Sequence, residues 1–267
     1  VSTPRYDRQS FLGADAEERI AECTVGIVGL GGGGSHLVQQ LAHIGFQRYV
    51  IYDDDVVEES NLNRLVGART IDVPATTPKL HLARMMILGL QPNALISGFA
   101  CKWEQQPEPL RSCQIVFGGV DTYRGRRELE VTCRRYLMHY IDIGMDVHGT
   151  DHRFIGGQVI LSSPGHLCMT CMGFLTEEKL GREAARYGNV GGRPQVIWPN
   201  GVLASTAVGI AMELVTGWTR QPKTHAFLVY DGNNATLQES ITLKNLAAGA
   251  CPHFRDDDIG DPVFKPL

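Results

Sequence analysis

Gly29, Gly31 and Gly34 stand in the order G-x-G-x-x-G within the run Gly29-Leu30-Gly31-Gly32-Gly33-Gly34. Glycines so spaced let a backbone turn tightly and bring bare N–H groups up to a phosphate chain, at the start of a helix whose dipole favours an anion. Asp53 follows 24 residues after Gly29, where a carboxylate can accept hydrogen bonds from ribose hydroxyls. Together these residues point to nucleotide binding. A glycine turn that only tightens a loop is the alternative, and it leaves the acid and its spacing without a reason. The loop does not specify which nucleotide, because dinucleotide dehydrogenases share this arrangement. A second constellation is Cys168-Met169-Thr170-Cys171, the C-x-x-C spacing that lets two thiolates hold one tetrahedral zinc. One such pair is half a site. It also lies outside the first strand-to-helix turn, which argues against thioredoxin-like redox chemistry.

The elements that must position these groups are legible from the apolar pattern. Thr24-Val25-Gly26-Ile27-Val28 reads as a strand running into the glycine loop, and Leu37, Val38, Leu41, Ala42 and Ile44 have helical spacing from Ser35 to a cap at Gly45. Tyr49 to Tyr52 then gives a second strand, closing a βαβ unit of about 30 residues. A helix preceded by Pro78 and ending near Pro92, strands at 94–100, 114–117 and 140–143, and an arginine-studded helix from Arg124 to Leu137 continue the alternation. Past residue 150 the texture changes. A strand at 156–161, a loop-rich stretch at 162–200, an apolar helix in 201–218 and late strands at 226–230 and 235–243 are expected. The fold class is therefore α/β: Rossmann-like, doubly wound, with a mainly parallel sheet, late antiparallel strands and a zinc-type C-x-x-C loop. With no repeat or flexible linker, residues 1–267 read as one domain with a nucleotide-binding half (about 1–150) and a C-x-x-C, crossing-loop and partner-binding half (about 151–267).

Further blocks narrow the nucleotide. Arg5-Tyr6-Asp7-Arg8-Gln9, Ile27-Val28-Gly29-Leu30-Gly31-Gly32, Asp53-Asp54-Asp55 leading to Ser60-Asn61-Leu62-Asn63-Arg64, Pro78-Lys79 and Val120-Asp121-Thr122 occur in order with fitting gaps. In this the chain resembles the superfamily of ubiquitin-activating enzymes and their sulfur-carrier-activating relatives, the ThiF/MoeB/HesA group, over residues 5 to 245. The resemblance implies an adenylyltransferase: ATP and the C-terminal carboxylate of a ubiquitin-like or sulfur-carrier protein with a Gly-type tail form an acyl adenylate and pyrophosphate. Two anions must meet, so such a site needs fixed cations and Mg2+ more than a general base. Carried over by position, Arg64 and Lys79 are the triphosphate-binding cations, Asp121 is the Mg2+-linked carboxylate, and Asp53 holds the ribose. Gly32, Asn61 and Thr122 complete the nucleotide pocket.

Arg8 matches an arginine that in the family reaches into the neighbouring subunit, which implies a homodimer. Taken alone, Arg8 reads as a solvated surface charge. Arg64 and Lys79 read alone as surface salt bridges with nearby acids, and Asp121 as the cap of the helix after it. Many relatives place a second C-x-x-C near the C-terminus. Here Cys251-Pro252-His253-Phe254 stands in its place, so Zn2+ bound by Cys168, Cys171, Cys251 and His253 is one outcome; His166 or a water as fourth ligand, or an empty site, are others. Relatives that form a thioester carry a cysteine in the crossing loop. Met172 to Asn200 contains none, and Arg193 falls near the place, so direct hand-over of the adenylate to a thiol of a conjugating enzyme or sulfur donor is expected. Cys23, Cys101, Cys113 and Cys133 read as ordinary buried cysteines.

Composition sets the outer bounds. The 267 residues are 43% hydrophobic and 20% charged, the profile of an ordinary globular chain. A formal charge of −4 offers no basic surplus for nucleic acid. Gly201 to Trp218 carries Glu213 and several hydroxyls, and the first residues form no signal peptide, so no membrane role and a cytoplasmic location are expected. Three other functions stay open: adenylation of another carboxylate (a peptide or a modified tRNA base), a non-catalytic scaffold subunit, and a nicotinamide dehydrogenase. Intact Arg8, Arg64, Lys79 and Asp121 argue against the scaffold, and no motif marks a hydride-transfer partner.

Overall fold

A computed structural model describes residues 4–149, 151–185, 194–221, 223–246, 250–255 and 258–261. Eight strands form one sheet in the order β3-β2-β1-β4-β5-β6-β7-β8. Five of them, β1 (Thr24–Val28), β2 (Arg48–Tyr52), β3 (Leu95–Phe99), β4 (Ile115–Gly118) and β5 (His139–His148), run parallel. The last three, β6 (Phe154–Ser162), β7 (His225–Asp231) and β8 (Thr236–Glu239), run antiparallel. Strands buried on both faces read as continuous apolar runs, and β1 and β4 do.

Alternation along those strands sends residues to two cores. Val25, Ile27, Ile115 and Phe117 meet helices α1 (Ala16–Glu22), α2 (Gly32–Ile44), α3 (Lys79–Leu90) and α6 (Ile197–Thr216) on one face. Val28 and Val116 meet α4 (Tyr123–Arg135), Met169 and Met172 on the other. The connection after β1 leaves on the first face and the one after β4 on the second. The chain thus opens a crevice at the carboxyl ends of β1 and β4, the place where open α/β sheets take ligands.

Several boundaries depart from the sequence expectation. Helix α2 begins at Gly32, not Ser35, so Gly32, Gly33 and Gly34 are its first turn with Gly31 as N-cap. The apolar helix α6 begins at Ile197 and takes in Pro199, tolerated there because first-turn N–H groups have no helical partner. The stretch expected to be loop contains α5 (Glu177–Ala185). The strand expected over 235–243 ends at Glu239, because the Ser240 hydroxyl accepts the Thr242 N–H and starts the short α7 (Ile241–Lys244). At the start of the chain, a 3-10 run over Pro4–Leu12 and α1 were not read from the pattern. No described helix is long and apolar enough to cross a membrane.

Candidate nucleotide site and cysteine cluster

A cavity of about 570 Å³ occupies the crevice between β1 and β4. Gly29, Gly31, Gly32, Gly34, Asp53, Asn61, Arg64, Lys79, Asp121 and Thr122 all line it. Gly29 makes the turn with φ +89°, and a Cβ there would stand 2.8 Å from the Gly119 carbonyl. Gly34 lets α2 close on the loop: a Cβ on it would fall 2.0 Å from the Gly29 carbonyl oxygen. The first N–H groups of α2 are thereby brought to the cavity wall without a side chain between.

Asp53 directly follows β2, and its carboxylate accepts the Leu30 N–H at 2.6 Å and the Asp55 N–H at 2.9 Å. Burial raises its pKa, and Lys79 opposes the rise. The acid therefore braces the glycine loop while keeping lone pairs for a ligand. Lys79 opens α3, is buried, and donates from Nζ to Asp55 at 2.6 Å, so the salt bridge that the sequence alone allows is present inside the cavity. Arg64 is half-buried and pairs with no acid among the described residues; its guanidinium bonds to the Ser60 carbonyl and, at 3.1 Å, to Asn63 Oδ1. Asn61 uses its Oδ1 to accept the Glu58 N–H at 3.1 Å, fixing the turn that carries Arg64. The helix-capping role open to Asp121 belongs instead to Thr122, whose hydroxyl accepts the Gly125 N–H at 3.0 Å. This leaves the exposed Asp121 carboxylate facing the cavity without a hydrogen bond among the described residues.

Other lining groups escaped the sequence reading. Arg126, one turn into α4, pairs with Asp142 on β5, which is fully buried and also accepts from the Tyr140 hydroxyl at 2.9 Å. Burial raises the Asp142 carboxyl, and the facing guanidinium opposes that rise. Asn200, from α6, reaches across to the glycine helix. Cys101 lines the cavity and is half-buried, correcting its reading as an ordinary core thiol. Cys23, Cys113 and Cys133 are fully buried, and burial pushes the Cys23 thiol up to about 12.

Arg8 does not line the cavity. It is exposed on a 3-10 run held by Arg5 on the Leu90 carbonyl at 2.5 Å and by Gln9 on the Ile44 carbonyl at 3.1 Å. Those carbonyls are the C-terminal ends of α3 and α2. Helix α2 starts at the cavity and runs 13 residues, so Arg8 sits roughly 20 Å from the cavity of its own chain at 1.5 Å per residue. A side chain cannot span that gap.

On the opposite face, Cys168, Cys171, Cys251 and His253 bring their ligand atoms within 4.8 Å of one another. The Sγ atoms of Cys168 and Cys251 each lie 3.5 Å from that of Cys171, and His253 Nδ1 lies 3.5, 3.2 and 4.0 Å from Cys168, Cys171 and Cys251. A zinc tetrahedron with 2.3 Å bonds to sulfur has edges of about 3.5–3.8 Å, so the donor set fits that ion. His253, and not His166, completes the four. Arg193, the residue nearest the expected place of a loop cysteine, lies outside the described residues.

Comparison with known proteins follows the same outline. The profile of the ThiF family matches residues 6–252. The SAMP-activating enzyme E1 of Haloferax volcanii is 31% identical over 173 residues, covering 63% of this chain and 61% of that one, so the chain spans less than two thirds of this relative's length. The sulfur carrier protein adenylyltransferase of Thermus thermophilus is 26% identical over 262 residues, covering 92% of this chain and 90% of that one. Among solved structures, E. coli MccB with AMPCPP and MccA superposes with a TM-score of 0.75 over 97% of this chain and 75% of that chain, at 18% identity. At that identity the likeness shows the fold.

Proposed function

Because the chain belongs to the ThiF family, we propose that it is an adenylyltransferase that uses ATP to activate the C-terminal carboxylate of a ubiquitin-like or sulfur-carrier protein. The observation that carries this reading is the cavity itself, where the α2 N-terminus, Asp53, Arg64, Lys79 and Asp121 converge on one crevice. The carboxylate oxygen bonds to the α-phosphorus as the bond to the β-phosphate oxygen breaks and pyrophosphate leaves. Charge then grows on the phosphate oxygens, and fixed cations are worth most where water is excluded. Lys79, held by Asp55, and Arg64, held by its own turn, are cations already in place. Asp53 takes the ribose, and Gly29, Gly31, Gly32, Gly34, Asn61 and Thr122 shape the pocket around the phosphates. Asp121 is the carboxylate free to hold Mg2+, which would supply charge neutralisation for the triphosphate. The names of the Haloferax and Thermus relatives support the carrier-protein class.

Arg8 completes a second protomer's site in this reading, since its own is out of reach, and the active species is a homodimer. The absence of cysteine from Met172 to Asn200 supports hand-over of the adenylate to a partner thiol. Zn2+ on Cys168, Cys171, Cys251 and His253 ties the C-terminal segment to the loop after β6.

The test is exchange of labelled pyrophosphate into ATP with purified carriers ending in Gly-Gly. Exchange is expected with one of them and falls at least a hundredfold in Lys79→Ala and in Asp121→Ala; ATP binding with no exchange on any carrier sinks the activity. Arg8→Ala and Asp121→Ala, each inactive alone, regain up to about a quarter of wild-type exchange when mixed, because one composite site per mixed dimer is intact; no recovery rules out shared sites. For the metal, about one zinc per chain is expected by elemental analysis and lost in Cys171→Ser, and equal contents in both proteins would reject the site.

A further inference from the structure

Resting on that reading, we infer that Asn200 is a further substrate-binding residue, whose side-chain amide donates to the α-phosphate at the N-terminus of α2. Asn200 is 5% exposed, yet it lines the cavity. Its Nδ2 donates to the Val196 carbonyl at 3.0 Å, which turns the amide inward and leaves that NH2 group a second hydrogen to give. No described group donates to its Oδ1. A Cβ at Gly32 would stand 2.5 Å from Nδ2 and 3.0 Å from Cγ of Asn200, and 3.5 Å from Cδ of Arg64. A Cβ at Gly33 would lie 3.6 Å from Asn200 Oδ1. The amide and the arginine stem therefore lean on the first residues of α2 together. A buried polar group is retained where it has a partner to meet, and among the described residues this amide uses one of its two N–H groups and neither acceptor position of Oδ1.

The placement says which partner. Helix α2 offers its first N–H groups there, and Arg64 adds a cation, so the ligand atom that meets all three is anionic. Lys79 is paired with Asp55, in the segment between β2 and α3, whereas no acid among the described residues pairs with Arg64. The glycine turn is the anion position that Asn200 overlooks, and for a nucleotide whose ribose sits on Asp53 the first phosphate falls at that turn. A neutral donor suits this point, because the negative charge that builds on the α-phosphate during attack strengthens the bond it accepts while the incoming carboxylate is not trapped by another full charge. The residue also joins the two halves of the chain. Asn63 beside Arg64 donates to the Gln195 carbonyl at 3.1 Å, so the segment entering α6 is fastened to the Arg64 turn.

Ligand pairs that differ only in their phosphates isolate this contact in the 267-residue chain. Calorimetry of adenosine and AMP on wild type gives an affinity ratio that reads the α-phosphate alone; ATP against AMP reads the outer phosphates. In Asn200→Ala the AMP-to-adenosine ratio is expected to shrink about ten- to a hundredfold, the worth of a hydrogen bond to a charged group, with the ATP-to-AMP ratio held. The nearly isosteric Asn200→Asp sets a carboxylate against the phosphate and shrinks the first ratio further. Melting without nucleotide reports whether each variant folds. A structural residue would weaken adenosine and AMP alike, so unchanged ratios in two folded variants overturn the inference. Failure of wild type to bind AMP or ATP would instead strike at the adenylation reading.

Discussion

Single side chains decide what a bound nucleotide can shield, and Cys101 is a half-buried thiol that lines the cavity. Cys23, Cys113 and Cys133 are buried, and burial raises all three thiols, which removes the thiolate that alkylation needs. Brief iodoacetamide treatment of the zinc-loaded protein is expected to label Cys101 first by peptide mass, with saturating ATP slowing it at least fivefold. Equal labelling with and without ATP would place Cys101 outside the nucleotide's shadow. The glycine loop, Asp53 and the Arg64 turn are each local, and each stands at the cavity. Asn200 lies 168 residues after Gly32, and Asp142 16 after Arg126; no local pattern announces either pair. Cys101 shows the same limit, since its apolar neighbours suit a core thiol while β3 ends just before it at the cavity rim.

At the scale of elements, α5 was hidden because its nine residues are mostly charged and Leu180 is their one large apolar side chain. A carboxylate ties it to the start of α4. Glu183 accepts the Tyr123 and Arg124 N–H groups, both at 2.9 Å, at the start of α4. Those donors follow directly on Asp121 and Thr122, so the anion at the positive end of α4 links the crossing segment to the cavity wall. Lys179 supplements it from Nζ to the Phe174 carbonyl at 2.7 Å. Removing the carboxylate frees two helix-end donors at a half-exposed site, which costs about 1–2 kcal/mol by the usual worth of a cap. Glu183→Ala is expected to melt a few degrees lower and to exchange the Tyr123 and Arg124 amides at least tenfold faster in hydrogen-exchange measurements, with Glu183→Gln between. Unaltered protection of those two amides would show that α5 is held by other contacts.

At the scale of the whole molecule, the order of strand and helix up to β5 was legible because parallel strands buried on both faces carry unbroken apolar runs. The antiparallel end was harder, since β8 is half-exposed and its close at Ser240 turns on one hydroxyl. Where β5 enters the sheet, His139 carries a property that only the assembled sheet creates. Its Nδ1 lies 2.8 Å from the Ser163 hydroxyl, and burial, with His166 nearby, lowers its pKa from 6.5 to about 4. Between those values the unfolded chain binds a proton that the folded one refuses. Stability from this group is therefore complete above about pH 6.5 and is lost as pH falls toward 4, by up to about 3 kcal/mol. Asp53 and Asp142 work in the other direction: their raised pKa values let the folded state take up protons first, adding stability as pH falls. The wild-type curve sums these opposed slopes, so the histidine must be read by difference. Urea melts of wild type and His139→Gln from pH 7 to pH 4 are expected to converge or cross, the variant gaining about 2–3 kcal/mol relative to wild type over that range. Parallel curves would mean that His139 takes its proton as readily in the fold as in the open chain.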